Sequence, residues 1–245
     1  MTREPREFTP AHITRNRKAS EVLAQQIVQD IRQRDLPVGH RLPSESEMTS
    51  HFGVGRITLR EALRLLEVNG LISIRTGPSG GPSVDRVDPT YLGRIATLYF
   101  QMAGATYVEL YDSCVVAEGL LAEWAARNPD AALRRRVMAP YLHGESMVAE
   151  DPEEYSRFHV EISSLVPNRV LVLMLQGLIF ISIHHMTETQ DIMALRGHRG
   201  EEIDDIHARI ARAIAAGRAR RARQLMEEHM REHMADPPDE TIAWL

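Results

Sequence analysis

Only one cysteine, Cys114, occurs among the 245 residues. That excludes an intramolecular disulfide and fits a reducing compartment, so a cytoplasmic location is expected. Aromatic residues make up only 5% of the chain, whereas Ala, Leu, Arg and Glu abound, which favours helices packed on aliphatic cores. Long apolar runs are missing too. The longest, Val170 to Ile183, is interrupted by Gln176 and falls short of the ~18–20 residues that span a bilayer. It reads as a helix at the centre of a domain, and no membrane partner is expected. Residues 1–18 are polar and lack the apolar core of a secretory leader. No 20–50-residue repeat and no low-complexity tract is present.

What is present is an ordinary globular composition, 43% hydrophobic and 26% charged, in a length that suits two domains. The net charge of −5 hides an asymmetry. Residues 1–86 carry 13 Lys/Arg against 10 Asp/Glu, whereas residues 87–245 carry 16 against 24. A mildly basic front and an acidic back suit a nucleic-acid module joined to one that avoids nucleic acid.

Residues 1–17 show no periodicity and read as a flexible arm. From Lys18 to Arg34, Val22, Leu23, Ile27 and Ile31 fall on one helix face. Ser44 opens a second helix with Glu47 three residues on, a capping-box pattern, and this helix stops at Gly53-Val54-Gly55. A third runs from about Arg56 to Asn69 and closes at Gly70. Leu71–Arg75 has strand character, Gly77–Pro82 is a turn, and Val84 returns as a second short strand. Beyond Asp88 the β signal vanishes. Helices are expected near 90–103, 107–127, 130–149, 152–165, 168–189, 201–216 and 218–234. The chain is thus mainly α: a winged helix-turn-helix with a small β-ribbon over 18–87, an all-α antiparallel bundle over 88–236, and a tail over 237–245.

On the third helix, Leu59, Ala62, Leu63 and Leu66 share an arc that would pack inward, while Arg56, Arg60 and Arg64 form a stripe on another face. A helix fits the DNA major groove, and guanidinium forks suit guanine edges or phosphates. Taken alone, such a stripe could equally be a solvated face; the order of elements around it favours the groove. The loop Thr76–Gly81 is small enough to approach a minor groove or a phosphate. It lacks the Gly-Lys-Ser/Thr ending and following helix of a nucleotide cradle.

The segments Gly39-His40-Arg41-Leu42-Pro43-Ser44-Glu45, Phe52-Gly53-Val54-Gly55-Arg56, Leu59-Arg60-Glu61-Ala62-Leu63, Leu66-Glu67 and Gly70-Leu71-Ile72, with Gly77, closely resemble the GntR-family winged helix. The likeness covers about residues 20–84. It implies DNA contacts at Arg56, Thr58 and Arg60, with Thr76 and Gly77 in the wing, and binding as a homodimer to operator DNA that is an inverted repeat. Two positions depart from the family pattern: Ser46 stands where many relatives have an Arg that meets DNA, and Gly55 where Ser or Thr is usual. Both departures remove a side-chain contact.

Residues 90–235 resemble the FCD effector domain of the FadR subfamily. The carrying features are Glu109-Leu110-Tyr111 with Glu118, Phe158-His159, Asn168, His207, Ala213-Ile214, Gly217, Ala222 and His229. The resemblance implies a regulator, in the usual case a repressor, whose helical domain dimerises and holds a small-molecule effector beside a metal ion. His207 lies ten residues before Gly217 and His229 twelve after it. If Gly217 turns the chain between antiparallel helices, rises of about 15 and 18 Å leave the two imidazoles nearly level, as two ligands of one ion must be. His159 could supply a third, and three imidazoles with an open position suit zinc or nickel. His184, His185 and His233 show no such pairing and read as structural.

Two further departures bear on this domain. Tyr155 stands where the family usually has an Asp ligand, and Cys114 where many members have an Arg that pairs a ligand carboxylate. Cys114, Tyr155 and Asn168 are the expected effector-pocket residues, and an organic acid or acyl-type metabolite is the expected ligand. The rival from another class is a metal-dependent hydrolase built on His159, His207 and His229. No His-Glu-x-x-His motif and no placed carboxylate base accompany them.

Overall fold

The structure, a computed structural model, describes residues 19–77, 80–142, 152–189, 192–233 and 239–243, with side chains described at all of these except 152–156, 186–189, 192–201 and 233. The chain divides into two compact units, one ending at Val87 and the other beginning at Asp88. Each is described by itself.

The first unit contains α1 (Ala19–Gln33), α2 (Glu45–Phe52), α3 (Arg56–Val68), β1 (Ile72–Arg75) and β2 (Gly81–Val84). α2 starts where the capping box requires. Ser44 Oγ accepts from the Glu47 N–H at 3.3 Å, and the Glu47 carboxylate accepts from the Ser44 N–H at 2.8 Å. Those bonds favour the ionised carboxyl and hold its pKa below the ordinary value. α2 ends at Gly53, whose φ of 65° lies in the left-handed region that glycine enters without strain. α1, α3 and the ribbon close over one core of Leu23, Ile27, Leu59, Leu63, Leu66 and Ile72. The ribbon is antiparallel, with Ile72 opposite Val84 and Arg75 opposite Gly81. A bridge from Arg41 to Ser83 adds a third short strand segment beside it.

The second unit is helical: α4 (Pro89–Ala103), α5 (Tyr107–Ala126), α6 (Ala131–Met138) with a 3₁₀ turn (Ala139–Tyr141), α7 (Pro152–Ser164), α8 (Arg169–Thr189), α9 (Ile192–Ala215) and α10 (Ala219–His233). α5 is buried on nearly every side, so it forms the centre of the unit. α10 lies along α5, and α4 lies along α8. The α4–α8 approach is close because two glycines face each other. A Cβ on Gly93 would come within 2.9 Å of the Gly177 carbonyl oxygen.

Several boundaries differ from the sequence expectation. The helix expected over 130–149 ends at Met138 and tightens into the 3₁₀ turn, where Pro140 has no N–H to continue the α ladder. Residues 143–151 of that expectation lie outside the described residues, as does the arm over 1–17. α9 begins at Ile192 rather than near 201, because Gly197 and Gly200 lower helix propensity without ending the helix. The expected tail is, over its described part, an edge segment. Thr241 bridges to Thr106, the Ile242 N–H donates to the Ala105 carbonyl at 2.9 Å, and Ile242 is buried. One apolar residue among polar neighbours has no period to betray it.

Candidate nucleic-acid interface and metal centre

α3 turns Leu59, Ala62, Leu63 and Leu66 into the core of the first unit and leaves Arg56, Arg60 and Arg64 exposed on another face. Thr58 is half-buried beside them. Arg60 Nε sits 3.0 Å from a carboxylate oxygen of Glu45, a pair that joins the first turn of α2 to α3. Both side chains are substantially exposed, so the pair adds little stability but fixes where the guanidinium points. Ile57, 85% exposed in the same first turn, is an apolar residue that the inward arc does not use. The sequence reading missed it, although its place outside the Leu59–Leu66 arc was a visible signal. Gly55 caps α3 without any side-chain hydrogen bond, as its missing side chain dictates. At the other end of the unit, Thr76 and Gly77 are exposed in the ribbon turn, where Gly77 takes a φ of 112°. Ser46 is exposed on α2, and its carbonyl accepts from the Thr49 and Ser50 hydroxyls.

In the second unit the α9–α10 turn is made by Gly217, φ 70°, with the Arg218 N–H donating to the Ala213 carbonyl at 2.9 Å. Arg134 from α6 reaches over this turn and donates from Nε to the Ile214 carbonyl at 3.1 Å, satisfying an end carbonyl of α9. The hairpin sets His207 and His229 level: their Nε2 atoms are 3.1 Å apart. His159, carried by α7, closes the group, and one donor atom from each of the three lies within 4.8 Å of the others. His159 and His229 are buried and His207 is half-buried. Phe158 stacks on the His207 ring at 4.1 Å between centroids and orients it from the apolar side.

The donor set fits a divalent ion. Two nitrogens bound tetrahedrally at about 2.0–2.1 Å from one zinc ion stand roughly 3.3 Å apart, near the 3.1 Å between His207 and His229. Three neutral imidazoles also leave a fourth position for a ligand. Beside them lies a residue the sequence reading quoted but did not assign: Glu118 of α5, fully buried, with Oε2 3.1 Å from His159 Nδ1.

The expected pocket residues fare unequally. Cys114 is fully buried one turn before Glu118, and burial pushes its thiol up to about 12 despite a hydrogen bond with Ser182. Asn168 is exposed, and its Oδ1 accepts from the Leu171 N–H at 3.1 Å; its observed part is to cap α8, because an Asn before a helix satisfies an orphan N–H. The side chain of Tyr155 lies outside the described residues. His185 is buried, its Nδ1 2.9 Å from the Tyr111 hydroxyl and its ring stacked on Tyr107. His184 stacks on Phe180 at 6.1 Å, and the His233 side chain lies outside the described residues.

Comparison with known proteins places both units. Residues 19–79 match the profile described as bacterial regulatory proteins, gntR family, and residues 109–232 match the FCD domain. The chain is 30% identical over 172 residues to the HTH-type transcriptional repressor NanR of Cronobacter sakazakii, an alignment covering 69% of this chain and 63% of that one. It is 29% identical over 171 residues to the NanR of Citrobacter rodentium, again over 69% of this chain and 63% of the relative. The match thus spans less than two thirds of the length of these curated relatives. Among solved structures, Streptococcus agalactiae GntR superposes with a TM-score of 0.62 at 22% identity, covering 89% of this chain and 100% of that one, a likeness of fold.

Proposed function

The chain belongs to the gntR family of bacterial regulatory proteins and carries an FCD domain, and on that footing we propose that it is an operator-binding transcription repressor whose DNA affinity is set by a small metabolite held in the helical unit. The family is one of regulators, so the metal-dependent hydrolase reading of the three histidines is set aside. The observation that carries the proposal is α3: three exposed arginines at four-residue spacing on a helix whose other face is fully committed to the core. Arg56, Arg60 and Arg64 are the proposed groove contacts, with Thr58 on α3 and Thr76 and Gly77 in the wing. Ile57 adds an apolar contact of the kind a thymine methyl receives.

A homodimer supplies two such helices to the two halves of an inverted repeat. What supports it is the outer face of α4. Leu92, Ile95, Tyr99 and Met102 recur at helical spacing with exposures from 37% to 88%, while Gly93 and Thr97 face inward. A stripe of that size on an exposed helix suits a second copy of the chain.

His159, His207 and His229 are the proposed ligands of a divalent ion, zinc or nickel, which when bound offers a Lewis-acid contact to an effector. The protein's part is to hold three imidazoles oriented and partly shielded from water. An organic acid or acyl-type metabolite at the open position is the proposed effector, with Cys114, Tyr155 and Asn168 as the proposed pocket residues. The cytoplasm is the proposed location. No described helix is long and apolar enough to cross a membrane.

Selection of bound duplexes from a random pool at fixed salt tests the DNA reading. The expected result is enrichment of a short inverted repeat. A pool with no enriched sequence would contradict it.

A further inference from the structure

We infer that Glu118, on a different helix from the three histidines, is the positioning carboxylate of the metal centre: with an ion bound it would receive the Nδ1–H of His159 and thereby present Nε2 to the ion. The inference rests on the reading that His159, His207 and His229 hold a divalent metal. Glu118 is fully buried near the middle of α5, a helix whose other buried side chains are mostly apolar. Its Oε2 lies 3.1 Å from His159 Nδ1. The approach is out of line for a hydrogen bond, and neither oxygen of Glu118 has another hydrogen-bond partner among the described residues. A carboxylate buried without hydrogen bonds is strongly unfavourable unless a positive charge stands close by. Cys114, one turn away, is a neutral thiol and supplies none.

Imidazole chemistry fixes what the pair can do. Each ring nitrogen is either a donor or a ligand atom, and a donor bond at Nδ1 leaves Nε2 as the lone pair for metal. His207 and His229 already bring their Nε2 atoms together. A His159 anchored through Nδ1 would complete a uniform Nε2 set. With an ion on Nε2, the Nδ1–H of His159 would be a stronger donor to Glu118, so each contact would strengthen the other.

Zinc binding by the full chain tests this, measured by competition with a chromophoric chelator and by the zinc-induced rise in melting temperature. Wild type, Glu118→Gln, Glu118→Ala and His207→Ala are compared. Loss of an outer partner of a metal-bound histidine weakens affinity about 10- to 100-fold. Glu118→Gln keeps an acceptor oxygen and should fall near the lower figure, and Glu118→Ala near the higher. Without zinc, Glu118→Gln should melt no lower than wild type, because it keeps the size and an acceptor oxygen of a side chain that makes no hydrogen bond in this structure. Wild-type zinc affinity in both Glu118 variants, with loss in His207→Ala, would overturn the inference and leave the histidine site standing. Equal binding by wild type and His207→Ala would remove the site and the inference with it. A Glu118→Gln variant that melts well below wild type without zinc would make Glu118 a structural residue instead. Should Glu118→Ala fail to fold, Glu118→Gln decides alone.

Discussion

Arg60 is engaged before any DNA arrives, held 3.0 Å from Glu45 across the α2–α3 turn. On the proposed reading, groove binding would exchange that carboxylate for a base edge or phosphate, and the exposed pair would be given up at little cost. Replacing Arg60 with Ala should weaken specific operator binding by about 1–3 kcal/mol if the contact is bidentate. A gel-shift titration at fixed salt measures it, and unchanged affinity would take Arg60 out of the interface. Cys114 offers a second test at this scale. With burial raising its thiol to about 12, the reactive thiolate is scarce at pH 8, and iodoacetamide should label native protein far more slowly than urea-unfolded protein. Rapid native labelling would show that the α5 centre is open. The level pair His207 and His229 was legible in the sequence because a glycine turn between two helices fixes the register by counting alone. Glu118 was not: a lone Glu in an apolar helix looks like a solvated one, and only the packing of α7 on α5 brings it to His159.

Helices were legible where their ends carry chemistry. Ser44 with Glu47 begins α2, and Gly217 ends α9, each satisfying backbone groups that would otherwise be orphaned. α5 opens on a second capping box, Thr106 with Glu109, at the expected boundary near 107. Thr106→Ala should lower the stability of the helical unit by about 1 kcal/mol, read in a denaturant melt. The start of α9 and the docked segment around Ile242 were illegible, since glycines within a helix and a single buried isoleucine leave no periodic trace. The paired glycines of α4 and α8 were equally silent. Alanine in place of glycine normally favours a helix by up to about 1 kcal/mol. Gly93→Ala should instead destabilise by about 1–3 kcal/mol, because its Cβ would press on the Gly177 carbonyl at 2.9 Å. A stabilised variant would show that the α4–α8 contact is looser than the structure has it.

At the scale of the whole chain, the basic N-terminal and acidic C-terminal parts suit the proposed division between a unit that meets DNA and one that does not. A dimer of about 55 kDa, twice the 27.7 kDa chain, is expected at micromolar concentration, with α4 in the interface. Glutamate at both Tyr99 and Met102, exposed at 72% and 88%, should yield a folded monomer in sedimentation. A variant that stays dimeric would move the interface elsewhere. The proposal as a whole is a coupling between two units of one chain, and coupling is a difference in affinity between two states. It is measured by fluorescence anisotropy on the selected operator, in zinc-loaded wild type and His207→Ala, with and without a metabolite found to raise the melting temperature of the wild type. The account predicts that the metabolite changes wild-type operator affinity by about 5- to 150-fold and leaves His207→Ala unmoved. Equal operator affinity in wild type with and without that metabolite would contradict it.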